Sequence, residues 1–259
     1  MRDSVVVVGM GEMGSVFARG FLRAGHPVFP VVRNMEMVVV AEELAAKQNE
    51  PQLVLIAVAE ADLHSVLQKV PAAWRDRLVL LQNELLPRDW QQYELEPTVI
   101  SVWFEKKKGI DSKVIIPSPV FGKHASYIAE ALVSIDIATH VLQKSEDLLF
   151  ELVLKNVYIL TTNIAGLQVG GNVGELWENH RNVAIAVASE VIELQQALTG
   201  LEFDVDAMIR AMVNAFKGDP NHQCMGRSAP ARLARALDLA EENGLNLEML
   251  KKISAESQA

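Results

Sequence analysis

A single cysteine, Cys224, is all the thiol chemistry that the 259 residues carry. No intramolecular disulfide can form, and the cross-linked framework of a small secreted domain is excluded. No stretch of eighteen apolar residues occurs. Val5–Val8 is too short for a signal core or a membrane span, and no basic flank precedes it. No membrane contact is expected, and the cytoplasm is the expected location. The histidines at 64, 124, 140, 180 and 222 are scattered and read as structural or exposed. No Cys/His/Asp set has metal-ligand spacing, so no metal is expected. Ser, His and Asp occur without the turn of a nucleophile elbow. Excess basic charge is lacking too. Residues 1–144 hold 15 Lys+Arg against 17 Asp+Glu, and residues 145–259 hold 9 against 16. An acidic C-terminal half argues against a polyanionic partner such as nucleic acid or an anionic lipid surface. The one dense basic run, Lys106-Lys107-Lys108-Gly109, reads as a solvated turn between two strands.

Half of the residues are hydrophobic, enough for a sizeable core. The chain is organised around its first thirty-four residues. Val5-Val6-Val7-Val8 reads as a parallel strand buried on both faces. Gly9-Met10-Gly11-Glu12-Met13-Gly14 follows at once, and Ser15–Ala24 has helical apolar spacing. Gly9 permits the turn, Gly11 lets the backbone approach a pyrophosphate, and Gly14 lets helix and strand pack closely. The helix N-terminus then points unpaired N–H groups and a positive dipole end at the phosphates. A strand before, a helix after and a second strand at 28–32 give the motif its confirming context. That second strand ends in Arg33-Asn34 instead of an acid. An acid here would bind the ribose hydroxyls of NAD, and an arginine accommodates the 2′-phosphate of NADP, so NADPH is the expected cofactor. An ordinary surface arginine is the alternative reading of Arg33. Pro27 and Pro30 remove ladder donors, which predicts an irregular or displaced strand.

Further along, helices are predicted at 37–48 and 61–70, and buried strands at 53–58 and 78–81. Ala57 and Val58 close the first of these strands and join the candidate cofactor residues. Asn83 follows the second. Strands at 98–104 and 113–116, a helix at 123–133 and a strand at 140–142 complete a doubly wound parallel sheet of Rossmann type. From Ser145 on, everything reads as helical: 146–165, a glycine loop at 168–174, 175–199, 204–216 and a final helix at 229–243 with Gly244 behind it. The expected organisation is an α/β dinucleotide-binding domain, 1–144, and an all-helical substrate and dimerisation domain, 145–259.

Together these features resemble ketopantoate reductase, within the larger group of 6-phosphogluconate and β-hydroxyacid dehydrogenases. The resemblance rests on the glycine motif, on Leu80-Leu81-Gln82-Asn83 and on the helix carrying Lys155 and Asn163. Leu239-Ala240-Glu241 with Gly244-Leu245 near the C-terminus adds to it. It implies that Lys155 is the general acid that protonates the alkoxide formed when NADPH delivers hydride to a ketone. In so apolar a segment its ammonium must be desolvated or paired, unless its stem packs and the amine reaches water. The resemblance further implies that Asn163 contacts substrate and that Asn83 orients nicotinamide and substrate; either could instead serve as a turn or cap. A homodimer is implied as well.

Departures from the family pattern accompany the likeness. Ile159 stands where the family has an asparagine, and Gln223-Cys224-Met225 where it has Ser-Ser-Met, which removes a carboxylate-binding hydroxyl. The following segment is shortened to Gly226-Arg227-Ser228-Ala229-Pro230 and lacks the family glutamate. Ala59 replaces a lysine and Glu84 a glycine. The expectation is an NADPH-dependent reductase of a small, 2-keto-acid-like ketone other than ketopantoate. A catalytically silent NADP(H)-binding sensor or scaffold is the alternative. A β-hydroxyacid dehydrogenase or imine reductase, echoed by Ala24-Gly25-His26, is a further one.

Overall fold

Four β-branched side chains in a row leave β1 (Val5–Val8) no solvent face, and its residues are 0–6% exposed. The computed structural model describes residues 3–106, 109 and 111–257. Two compact units divide at Glu151 and Leu152. In the first, β1 leads to α1 (Glu12–Arg23), β2 (Val28–Val31), α2 (Met37–Ala46), β3 (Leu53–Ile56), α3 (Leu63–Leu67), β4 (Leu78–Leu80) and α4 (Arg88–Gln91). Then come β5 (Thr98–Ile100), β6 (Phe104–Glu105), β7 (Lys113–Val114), β8 (Ser118–Phe121), α5 (Ala125–Val133) and β9 (Thr139–Val141). The main sheet has the order β2-β1-β3-β4-β5-β8-β9, parallel except for the β5–β8 pair.

Alternation along the central strands feeds two cores. Val5, Val7, Leu53, Leu55 and Val79 meet Phe17, Phe21, Ile128 and Leu132 from α1 and α5. Val6, Val54, Ile56 and Leu80 point to the other face and are fully buried there. The sheet is thus doubly wound, as read from the sequence.

Several local expectations are corrected. β2 is regular, with Val28–Val31 in register against Val5–Val8. It lies at the sheet edge, so Pro30 costs no ladder bond that a neighbour needs. The segment at 98–104 is two strands in different sheets, β5 in the main sheet and β6 paired with β7. The helix expected at 61–70 is a 3₁₀ turn at Glu60–Asp62 followed by the short α3. β8 went unread because Pro117 and Pro119 look like strand breakers. Its Ser118 hydroxyl accepts from the Trp103 N–H, and the Pro119 carbonyl accepts from Ser101. Of the basic turn, Lys107 and Lys108 lie outside the described residues.

The remaining chain holds α6 (Ser145–Val169), α7 (Val173–Asn179), α8 (Arg181–Thr199), α9 (Val205–Phe216), α10 (Ala229–Glu242) and α11 (Glu248–Ser257). Ser145, where the sequence reading begins the second domain, is the first residue of α6. This helix is long and apolar enough to cross a bilayer, yet 83% of the apolar stretch is buried inside the protein, as in a core helix. The glycine loop is shorter than expected. Asn172 accepts from the Glu175 N–H while the Glu175 carboxylate accepts from the Asn172 N–H, so a capping box starts α7 at Val173. The helix read as 175–199 breaks at His180 (φ −130°), which no glycine or proline announces.

The helix at 229–243 is not the last. Glu190 of α8 reaches α11 and accepts from the Met249 and Leu250 N–H groups at 2.7 and 2.9 Å. It does from a neighbouring helix what a side-chain N-cap does locally. A Glu190→Ala variant is therefore expected to lose about 1–3 kcal/mol in chemical denaturation. Unchanged stability would mean that water caps α11 equally well.

Candidate functional site

In the first unit the predicted cofactor residues gather at one edge of the sheet. Gly9 leaves β1 with φ +92°, a conformation open to glycine. A Cβ on Gly9 would also stand 2.6 Å from the Ala57 carbonyl oxygen and 3.3 Å from Val58 Cγ1. Gly14 is tighter still, since its Cβ would lie 1.9 Å from the Gly9 oxygen. Strand end, helix start and the residues after β3 thus touch through glycine and alanine. Gly11 behaves differently. It is the N-cap residue of α1, offers no side-chain cap, and a Cβ there would meet nothing within 4 Å. Open space beside an uncapped helix N-terminus fits a pyrophosphate held by backbone N–H groups. Met10 and Glu12 are exposed around it, and Met13 is half-buried.

The same edge carries the ends of three more parallel strands. Arg33 and Asn34 are exposed at the centre of a turn closed by the Met35 N–H on the Val32 carbonyl. No acid occupies that turn. Gln82, 7% exposed, donates through Nε2 to the carbonyls of Ile56 and Val58 at 2.7 and 3.2 Å. It thereby ties the end of β4 to the end of β3. Asn83 is half-buried and donates through Nδ2 to Glu60 Oε1 at 3.0 Å. With its N–H side engaged, the Asn83 amide can present its oxygen as an acceptor. Glu84 takes φ +62°, so the backbone keeps a glycine-like geometry at the position where the resembled family has glycine.

In the second unit, Lys155, Ile159 and Asn163 recur every four residues along α6, each 8% exposed. The residues between them, 156–158 and 160–162, are 0–3% exposed. The spacing puts all three in one narrow stripe along a stretch of α6 that is buried throughout. Lys155 Nζ lies 5.7 Å from the Tyr158 ring centroid, a cation–π contact at the stripe's beginning. At its end Asn163 donates through Nδ2 to the Ile159 carbonyl at 2.9 Å and accepts from Arg232 Nη1 at 3.2 Å.

Arg232, from α10, is the residue that sequence reasoning missed. That stretch was read only as a helix, and nothing local announces a pairing across 69 residues. Cys224 is fully buried, and a Cβ on Gly166 would stand 2.9 Å from its own Cβ. Burial, reinforced by the charge of Glu175, pushes its thiol up to about 12. It is neither a nucleophile nor a stand-in for a hydroxyl ligand. Among the described residues, no group of three or more His, Cys, Asp or Glu could hold a metal ion.

A mostly parallel sheet with a glycine loop at its carboxyl edge, followed by an all-helical unit, defines a Rossmann-type dinucleotide fold with a helical partner. More narrowly, it is the ketopantoate-reductase fold. The chain is similar to 2-dehydropantoate 2-reductase from Methylococcus capsulatus, with 15% identity and a TM-score of 0.68 over 98% of this chain and 96% of that one. It is similar to D-mandelate dehydrogenase in complex with NADH, at 15% identity and 0.67 over 98% and 99%. A dimeric ketopantoate reductase from Staphylococcus aureus matches at 15% identity and 0.67 over 98% and 97%. No protein-family model matches the sequence, and neither does any curated protein.

Proposed function

We propose that the protein is an NADPH-dependent oxidoreductase that reduces a small ketone of the 2-keto-acid type and is a divergent relative of the ketopantoate reductases. The observation that carries the reading is the open space at Gly11 beside an uncapped helix start, on a sheet edge whose neighbouring turn offers Arg33 and no acid. Gly9, Gly11, Gly14 and the first-turn backbone of α1 would hold the pyrophosphate. Arg33 and Asn34 would face the 2′-phosphate, and Ala57, Val58 and Asn83 would line the nicotinamide side. When bound, NADPH supplies the hydride that adds to the carbonyl carbon. Lys155 gives a proton to the carbonyl oxygen, so the product is the alcohol, and its cation stabilises the charge growing on that oxygen. Residues 1–144 form the cofactor domain in this reading, and residues 145–259 the substrate and dimerisation domain. A cytoplasmic homodimer acting on a small molecule is the corresponding assembly.

Titration with NADPH and NADH, followed by nicotinamide fluorescence, tests the cofactor. NADPH should bind at least about tenfold tighter than NADH, since Arg33 meets a phosphate that NADH lacks. Arg33→Asp should reverse the preference by repelling the phosphate and accepting the ribose hydroxyls. No binding of either nucleotide would sink the proposal. A catalytically silent NADP(H)-binding sensor or scaffold is favoured by two observations: apolar Ile159 in mid-stripe and the buried Cys224. Such a protein would bind NADPH and consume none with any carbonyl compound. Turnover of imines would instead favour the imine-reductase variant.

A further inference from the structure

We infer that the first unit carries a second binding site, on the sheet edge away from the glycine loop. Its ligand is a small zwitterion with an apolar body, a free α-amino acid or a short peptide. The inference stands apart from the reductase reading. A cleft of about 920 Å³ opens where β4 and β5 begin and where β8 and β9 end. β8 and β9 run against β5, so these ends share one edge, and Gly9 leaves the parallel β1 at the other. The volume falls in the range of small-molecule sites, roughly 300–1,000 Å³. Trp90, Phe121, Leu142 and Leu148 line the cleft and give it an apolar surface.

The charges on the cleft decide what that apolar body must carry. Asp76 and Lys123 engage each other at 3.6 Å, and Arg77 donates to the same Asp76 carboxylate at 2.9 Å. Arg75 is different. Its guanidinium donates through Nη2 to the Tyr93 carbonyl and, among the described residues, forms no ion pair. A neutral acceptor orients the guanidinium and leaves its charge intact. Half-buried in the wall, Arg75 presents a planar fork suited to a carboxylate. Glu94 and Glu96 flank the buried Leu95 and are exposed on the cleft, and neither forms an ion pair among the described residues. One cation and two acids left in this state favour a ligand of both signs, with a carboxylate for Arg75 and an ammonium for the glutamates. A purely anionic ligand would be repelled by the glutamates, and a purely cationic one would leave Arg75 unmatched.

The test is calorimetric titration of the full-length protein with leucine, phenylalanine and leucyl-leucine, with and without NADPH. Each is compared with its carboxamide, which removes the carboxylate, and with its N-acetyl form, which removes the ammonium. At least one zwitterion should bind with a Kd of about 1 mM or tighter, and both of its blocked forms at least about tenfold weaker. Arg75→Met should weaken the zwitterion about 10–100-fold and leave its carboxamide unaffected. Glu94→Gln combined with Glu96→Gln should weaken it about three- to tenfold and leave the N-acetyl form unaffected. Both glutamates are exposed, so this pair decides the matter if Arg75→Met does not fold. NADPH should not compete, because the glycine loop lies at the opposite edge. Whichever of the amino acids and the dipeptide binds tighter identifies the source, and either result supports the site. The inference is overturned if no zwitterion binds, if the blocked forms bind as tightly, if the variants keep full affinity, or if NADPH displaces the ligand. A sedimentation mass that falls in these variants, with no zwitterion bound, would instead assign the cleft to an interface between copies.

Discussion

A Lys155→Met variant should fold, bind NADPH with unchanged affinity and lose about 10²–10⁴-fold in kcat on whatever carbonyl compound the protein reduces. That loss corresponds to about 2.7–5.4 kcal/mol of transition-state stabilisation. Methionine keeps most of the length of this buried side chain, so the change removes charge and proton without opening a cavity. A fall in kcat with KM and cofactor affinity nearly constant is the signature of an interaction made only in the transition state. Full turnover in the variant would remove Lys155 from the chemistry. It would leave the lysine as a core residue whose amine emerges at the stripe.

How far the sequence could carry this reading depends on the kind of contact involved. β1 was legible because burial on both faces leaves an unmistakable mark, four β-branched residues in a row. α1 was legible because its apolar face repeats at helical spacing after a glycine turn. β8 was not, since a strand containing Pro119 contradicts local propensity, and only its neighbours β5 and β9 make it a strand. The break at His180 escaped notice for the opposite reason: helical periodicity continues across it, and the change of direction is tertiary. The site divides in the same way. The glycine motif announces itself because one local strand–helix crossing needs Gly9 and Gly14. Glu60 on Asn83 and Arg232 on Asn163 are pairings across 23 and 69 residues, and no spacing rule reaches so far. Cys224 was noticed as a missing hydroxyl. That it also packs against Gly166 needed coordinates, because the contact joins α6 to a loop 58 residues away.

Gly11→Ala and Gly14→Ala should fail in opposite ways, and the contrast separates what the loop does for the fold from what it does for a ligand. A methyl on Gly14 would have to share space with the Gly9 carbonyl oxygen, 1.9 Å away. Both partners are backbone, so no side chain can swing aside. The start of α1 must retreat from β1, opening a core in which Phe17 and Phe21 are fully buried. The expected loss is about 3 kcal/mol or more in chemical denaturation, with nucleotide binding lost as a consequence. Gly11 has φ −71° and ψ −167°, which alanine adopts freely, and a Cβ there would meet nothing within 4 Å. Stability should change by no more than about 1 kcal/mol. The methyl would instead fill the space through which phosphate oxygens approach the N–H groups of the first turn. NADPH affinity should therefore fall about 100-fold, or about 2.7 kcal/mol, in a protein that still unfolds at nearly the same denaturant concentration. If Gly11→Ala bound NADPH like the unmodified chain, the open space at the helix start would not be a phosphate site. If Gly14→Ala kept full stability, the close crossing of α1 over the end of β1 would be a contact that the fold can do without. Affinity lost at Gly11 and stability lost at Gly14 is the pair of results expected of a glycine loop that still holds its nucleotide.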